Sequence, residues 1–526
     1  MRSLTEPIKE LGIYDDLRNA LRHKGITGVT GLTDSARTVF SYAVTKGIRL
    51  FIVSDEIRAR QVEEAAYLFG REVYYYPARD MMFYQADLSG NMLVRQRMQA
   101  LKALHDHNKR TEEKHSAGSG STMGADNVDT DNTDSDITLI TTFDALMERM
   151  APASSITENI INLSVEDTID TESFTKRLTD LGYEREPEAE EPGQYAIRGG
   201  IIDIYPLTEE NPIRIELWGD EIDSIREYDA MSQRSIEKLD HVSVYPATDL
   251  VTNEDMRLKA KVMLEEEGGR IYSKLRADMQ TEAAYRLKSY TDQVCEALAT
   301  GVSINLSPYI SYLYETTENL LDHFAGTGAD IIIDEPARCE ERGHAVWQEW
   351  TDSVTHRIET GHMLPGEGDV MVPAKDVFAY LMSLPVLATS MISLHHEDYK
   401  YQAEYSVNSQ AISSYNKSFD QLASDLKRYK KRHNRVVILS PSHTRARKLT
   451  EDLEGLEINA FYSEEKDRTL KGGEIMLTYG NLSKGFEFPD IGFAVISESD
   501  IFGGKVRKKH RRRQVYEGEK ISSFTD

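Results

Sequence analysis

Short continuous apolar runs constrain the fold of this chain more than any other feature. Among them are IRLFIVS (48–54), VYYY (73–76), DITLITT (136–142), ADIIIDEP (329–336), RVVILS (435–440) and GFAVIS (492–497). A strand that is apolar on both sides must be covered on both faces, as happens in a parallel sheet flanked by helices. Helix-period segments stand between the runs. Val39, Phe40, Ala43 and Val44 share a helical face that Lys46-Gly47 closes; Ile57, Val62, Ala66 and Phe69 are expected inward on a second helix at 56–69. This alternation predicts an α/β protein with a doubly wound sheet.

The pattern changes at about residue 153. An amphipathic helix with Phe174, Leu178 and Leu181 on its inner face ends at Gly182, and strand-rich segments punctuated by turn residues follow: GQYAIRGGIIDIYPL, NPIRIELWGDEIDSIREYD and VSVYPA. They predict a small α+β domain. From 253 to 300 the sequence is helical and highly charged. The stretch 107–136 has almost no large apolar residue and reads as a disordered insertion; its Asp/Asn spacing lacks the Gly and closing Glu of a calcium loop.

The expected organisation is therefore a multidomain α/β chain. Residues 1–152 form the first segment of a doubly wound domain, 153–250 the inserted α+β domain, and 251–350 the second segment. A second α/β domain follows at 355–502, then a basic linker at 503–526.

At 526 residues the chain needs about three to five cores. No apolar run approaches the roughly 20 residues of a membrane span, and MRSLTEPIKELG has no signal-peptide core. Two cysteines, Cys295 and Cys339, make neither a disulfide framework nor a zinc cluster, which fits a reducing, cytoplasmic setting. The net charge of −26 argues against broad nucleic-acid binding. Seven Lys/Arg lie between Lys505 and Arg513, in a run that reads as a solvated linker toward a further domain. The pair His395-His396 has no ligand spacing to Cys or acidic residues, so no metal is assigned.

GLTDSART (31–38) is close to the phosphate-loop pattern G-x-x-x-x-G-K-[ST] and fails at two places. Gly31 and Thr38 stand in register, but Ala36 replaces the glycine whose backbone approaches phosphate and Arg37 replaces the compact lysine charge. Asp334 and Glu335, ending an apolar strand, supply the acidic pair such a site uses. Together they read as a decayed nucleotide site without hydrolysis. In PIRIELW, alternation puts Ile213, Ile215 and Leu217 on one face and Arg214, Glu216 and Trp218 on the other. Arg and Trp are the types most enriched at binding hot spots. Two arrangements stay open: an exposed Trp218, or one covered by the helix at 171–181. Arg198 precedes Gly199-Gly200, where the backbone can bulge or approach closely.

The segments QYAIRGGIIDIYPL and PIRIELWGDEIDSIR resemble the UvrA-contacting module shared by UvrB and the bacterial transcription-repair coupling factors. SQRSIEKL (232–239), the altered GLTDSART, the lack of room at 77–91 for UvrB's long tyrosine-rich hairpin, and LTYGNLSKGFEFP with AVISESDIFG and YEGEKISSFTD favour the coupling-factor family. The resemblance implies a protein that recognises RNA polymerase stalled at a lesion, displaces it with an ATP-driven double-stranded-DNA translocase and recruits excision repair through UvrA. It implies that this chain is the N-terminal half, with a UvrB-like degenerate phosphate-loop domain. It implies that the UvrA contacts fall on Arg198, Arg214 and Trp218. No catalytic residue and no cofactor are expected here; the resemblance implies that ATP, magnesium, polymerase and DNA are handled by a part beyond Asp526. The competing readings are a UvrB-like damage-binding protein and an independent phosphate-loop ATPase or helicase using Gly31–Thr38 with Asp334.

Overall fold

The structure, a computed structural model, describes residues 1–79, 90–118, 136–302, 304–393, 396–465 and 467–503. Most of the expected insertion, the segment next to the excluded hairpin, His395 and the basic run therefore lie outside the described residues. The described chain divides into two compact units.

The larger unit comprises residues 13–31 and 44–407. Its strands are β1 (Gly25–Thr30), β2 (Arg49–Val53), β3 (Val73–Tyr76), β4 (Thr138–Thr142), β5 (Ile161–Ser164), β6 (Glu184–Arg185), β7 (Gln194–Arg198), β8 (Ile201–Ile204), β9 (Ile213–Trp218), β10 (Glu221–Tyr228), β11 (Ser235–Leu239), β12 (His241–Val244), β13 (Asp330–Asp334), β14 (Pro385–Thr389) and β15 (Tyr401–Ser406). A seven-stranded sheet, ordered β15-β1-β14-β13-β2-β4-β3, is parallel throughout. The apolar runs are its inner strands: every residue of β2 and β4 is buried. Leu50, Ile52, Leu139, Ile331, Ile333 and Val386 share a core with Met98, Leu101 and Leu104 of the helix Gly90–Gly118 and with Phe143 and Phe378.

Three expectations about this unit are corrected. Helix Gly90–Gly118 runs into the expected disordered insertion at 107–136, so the start of that segment is helical. Ile57 is 70% exposed, while Val62 and Ala66 of the same helix are buried; Ile57 sits in the first turn, off the stripe that faces the sheet. The second α/β domain does not start at 355. The helix Pro336–Glu359 runs through that seam, and β14 pairs with both β1 and β13 at the centre of the first sheet. The segment PVLAT (385–389) is not marked as part of the first sheet by any local pattern, because which sheet it joins depends on partners far away in sequence.

Within this unit β5–β12 form a separate core. Six strands order as β11-β10-β9-β8-β7-β6, and β12 pairs with β5, bringing entry and exit of the insertion together. Phe174 and Leu178 of helix Thr171–Asp180, which Asp170 caps through the Ser173 N–H at 3.0 Å, pack with Tyr195, Ile202, Ile213, Ile215 and Ile225. Helices Glu254–Ala277 and Thr281–Thr300 form a long hairpin with its own apolar seam.

The smaller unit comprises residues 1–12, 32–43 and the chain from 408. It holds a six-stranded mixed sheet in which 435–440, 461–462, 475–479 and 493–497 run parallel, and 486–488 and 410–411 add an antiparallel edge. Residues Met1–Gly12 and Leu32–Ala43 group with it, although the sequence placed them in the first domain. Arg435 anchors the N-terminal segment by donating to both Glu10 oxygens at 2.6 and 2.7 Å.

Candidate protein-interaction surface and the altered nucleotide turn

Strand β9 alternates as its sequence requires. Ile213 and Ile215 are buried in the inserted domain's core, and Arg214, Glu216 and Trp218 point the other way. Helix Thr171–Asp180 covers the core face, as Phe174 and Leu178 share the cluster of Ile213 and Ile215. Trp218 is consequently 83% exposed. It stands at the mouth of a two-residue turn to Glu221, with Gly219 at φ +65° in the first central position, where a glycine relieves the left-handed strain.

Asp203 organises the polar part of this face. It lies opposite Arg214 on β8 and is 1% exposed. Arg214 donates Nε to Oδ1 at 2.7 Å and Nη2 to Oδ2 at 2.9 Å, a bidentate pair. Arg198 donates Nη2 to the same Oδ2 at 2.7 Å and Nη1 to Glu188 at 2.8 Å. One buried carboxylate thus holds both arginines. Arg214 also donates to Gln233 Oε1 at 2.8 Å and lies 4.3 Å over the Tyr228 ring. The Asp203 hydrogen bonds hold the Arg214 guanidinium above its ordinary pKa, and burial pushes the Tyr228 phenol up to about 12. Next along β9, Glu216 accepts from Arg226 and from Ser224 Oγ, the latter at 2.9 Å.

The structure therefore brings Arg198 and Arg214 together through Asp203 and puts Trp218 on the same strand face. Gly199, at φ +62°, and Gly200 turn the chain from β7 into β8; a Cβ on Gly200 would lie 3.0 Å from the Leu217 carbonyl oxygen. That is the close approach the glycine pair foretold. Sequence reasoning missed Asp203 and Gln233. The alternation of Ile202-Asp203-Ile204 could have placed Asp203 on the arginine face; Gln233 lies in a loop with no periodic signal.

The altered turn is built differently from a phosphate cradle. Gly31, at φ +84°, donates its N–H to Met391 O at 3.0 Å, and a Cβ there would come within 1.9 Å of the Val407 carbonyl oxygen. Backbone crowding alone accounts for a glycine at this position. In the smaller unit the Thr33 N–H donates to Ser409 Oγ at 2.8 Å, and Ser35 Oγ accepts from the Lys484 N–H at 3.3 Å. Ala36 and Thr38 are buried. Arg37 is buried too, its guanidinium folded back to Leu32 O and Asp34 Oδ1, each at 3.3 Å.

In the larger unit the acidic pair after β13 is engaged within the protein. Arg58 donates Nε to Asp334 Oδ2 at 2.7 Å and Nη2 to Oδ1 at 3.0 Å. A guanidinium so placed takes both carboxylate oxygens that a magnesium shell would use. Glu335 adopts a left-handed conformation at the head of helix Pro336–Glu359, and its Oε1 accepts from the Met391 N–H at 3.0 Å. Arg58 sits in a helix with no motif around it, so nothing local in the sequence marks this pair.

Residues 161–250 match the UvrB interaction domain family. Over 99% of its length the chain is 28% identical to the transcription-repair-coupling factor of Bacillus subtilis (strain 168), and over its whole length 27% identical to that of Staphylococcus aureus (strain MRSA252). It spans 42% of the length of each of these relatives. Along its whole length the chain is thus similar to part of these transcription-repair-coupling factors, and its inserted module matches the UvrB interaction domain.

Proposed function

We propose that this chain works in the coupling of transcription to nucleotide excision repair, and that the exposed face of its inserted domain docks UvrA. The observation that carries this is the juxtaposition on one sheet face of an 83% exposed Trp218 with two arginines fixed by a single buried aspartate. Fixed arginines lose little conformational entropy on binding, and an exposed tryptophan offers a large apolar anchor. Contacts with RNA polymerase and double-stranded DNA, and ATP-driven translocation, we assign to the remainder of the longer relatives.

Trp218→Ala is expected to weaken UvrA binding by about 2 kcal/mol, roughly 30-fold, with the unfolding midpoint unchanged, because the removed side chain buries little in the free chain. Calorimetric titration measures this; wild-type affinity in a folded Trp218→Ala, Arg198→Ala double variant sinks the assignment.

We further propose that the altered turn neither binds nor hydrolyses ATP in this chain. Support comes from Arg37 folded onto its own turn and from Arg58 on Asp334. A fluorescent ATP analogue should give no saturable signal with the chain. Saturable binding that Arg37→Ala abolishes would revive the ATPase reading.

A further inference from the structure

The helix Pro336–Glu359 follows directly on β13, and it carries Glu340 and His344 one turn apart on a single face. The connection from β14 to β15 brings Asp398 against that turn. One ligand atom from each of Glu340, His344 and Asp398 lies within 4.8 Å of the other two, and His344 Nε2 is 3.0 Å from Asp398 Oδ2.

Two observations separate this group from a solvated cluster of charges. Glu340 is buried, and its Oε1 accepts from the backbone N–H groups of Glu397 at 3.0 Å and Asp398 at 2.8 Å, so its carboxylate is oriented before any ligand arrives. Asp398 Oδ2 is shielded from solvent, and the atom facing it at 3.0 Å is His344 Nε2, itself a ligand atom of the group. In the imidazole tautomer that leaves Nε2 bare, two lone pairs face each other across that distance, and a cation bound between them turns the repulsion into two ligand bonds.

We propose that Glu340, His344 and Asp398 form a binding site for a divalent transition-metal ion of the zinc or manganese class. One imidazole and two carboxylates are the donors those ions accept, whereas calcium and magnesium favour oxygen alone. Ligand bonds of about 2.0–2.2 Å set neighbouring donors about 3.4 Å apart in a tetrahedral shell. The His344–Asp398 separation opens by a few tenths of an ångström to admit the ion, and His344, half exposed, is able to make that movement. Water completes the shell on the exposed side. The ion ties the β14–β15 connection to the helix, and the chain is stabilised by linkage.

The sequence offered the adjacent histidines His395-His396 and no ligand pattern. The acidic partner for His344 comes from a connection remote in sequence, which only the fold brings near.

The full chain, stripped with a chelator and dialysed, should bind one equivalent of zinc or manganese ion in calorimetric titration, with a higher unfolding midpoint when loaded. His344→Ala and Asp398→Asn, each checked for folding by circular dichroism, should weaken binding at least about tenfold. His362→Ala, an exposed histidine just beyond the same helix, should bind as the unaltered chain does. Stoichiometric binding that the first two variants lose supports the site. No stoichiometric binding, or equal binding in His344→Ala, overturns it.

Discussion

Asp203 decides how the exposed face of the inserted domain behaves. Its two carboxylate oxygens serve Arg198 and Arg214 from a position that is 1% exposed. Removing Asp203 leaves both arginines without their shared acceptor, but their guanidinium groups reach solvent and Arg198 keeps Glu188, so the cost is about 1–2 kcal/mol. Asp203→Ala should therefore lower stability by about that amount in urea denaturation, and should weaken partner binding as the arginines lose their anchor. Arg214 is structural as well as available for contact, whereas Trp218 is almost wholly available. A scan of this face should separate the two: Arg214→Ala moves stability and affinity together, and Trp218→Ala moves affinity alone. At this scale the sequence was informative about which side chains leave the core and silent about what holds them. Alternation is local, but the pairing of Asp203 with Arg214 depends on the register of two strands.

Between elements, the helical hairpin of 254–300 is joined to its surroundings by a buried polar network. Tyr290 of the second helix donates to Glu367 Oε2 at 2.6 Å, the Leu364 N–H donates to Glu367 Oε1 at 2.9 Å, and Tyr312 donates to Glu267 of the first helix. Burial lifts the Glu367 carboxyl to about 7, against the downward pull of the Tyr290 and Leu364 hydrogen bonds. The folded chain then holds a proton there that the unfolded chain releases near pH 4.5. Stability from this group is fully present below about pH 4.5 and is lost as pH rises to about 7, a change of roughly 3 kcal/mol. Glu367→Gln should flatten that part of the stability–pH profile and raise stability at neutral pH; urea midpoints at pH 5 and pH 8 measure both. The helices themselves were legible from their charged, helix-forming sequence. Their polar junction was not, because no local pattern marks Glu367 as a partner of Tyr290.

For the whole molecule, the clearest departure from sequence reasoning is the allocation of segments. β14 and β15 complete the first sheet, and residues 32–43 group with the chain from 408. The inserted domain, by contrast, is self-contained: it has its own core, and β5 pairs with β12 at its base. Residues 153–252 expressed alone should fold cooperatively in a thermal circular-dichroism melt and, on the proposed function, match the full chain in a UvrA-binding titration. That fragment gives up the tie of Asp249 to Arg79 and Arg97, at 2.7 and 2.8 Å, so a lower midpoint than in the full chain is expected. The sequence by itself determined the strands β2, β3, β4 and β13, the inserted module and the core face of β9, because periodicity and turn chemistry act over a few residues. Only the tertiary structure decided which strands share a sheet, that Asp203 joins Arg198 to Arg214, that Arg58 takes Asp334, and that Gly31 is required by the Val407 carbonyl. Each of these is a contact between residues that the chain's local pattern leaves independent, and only packing brings them together.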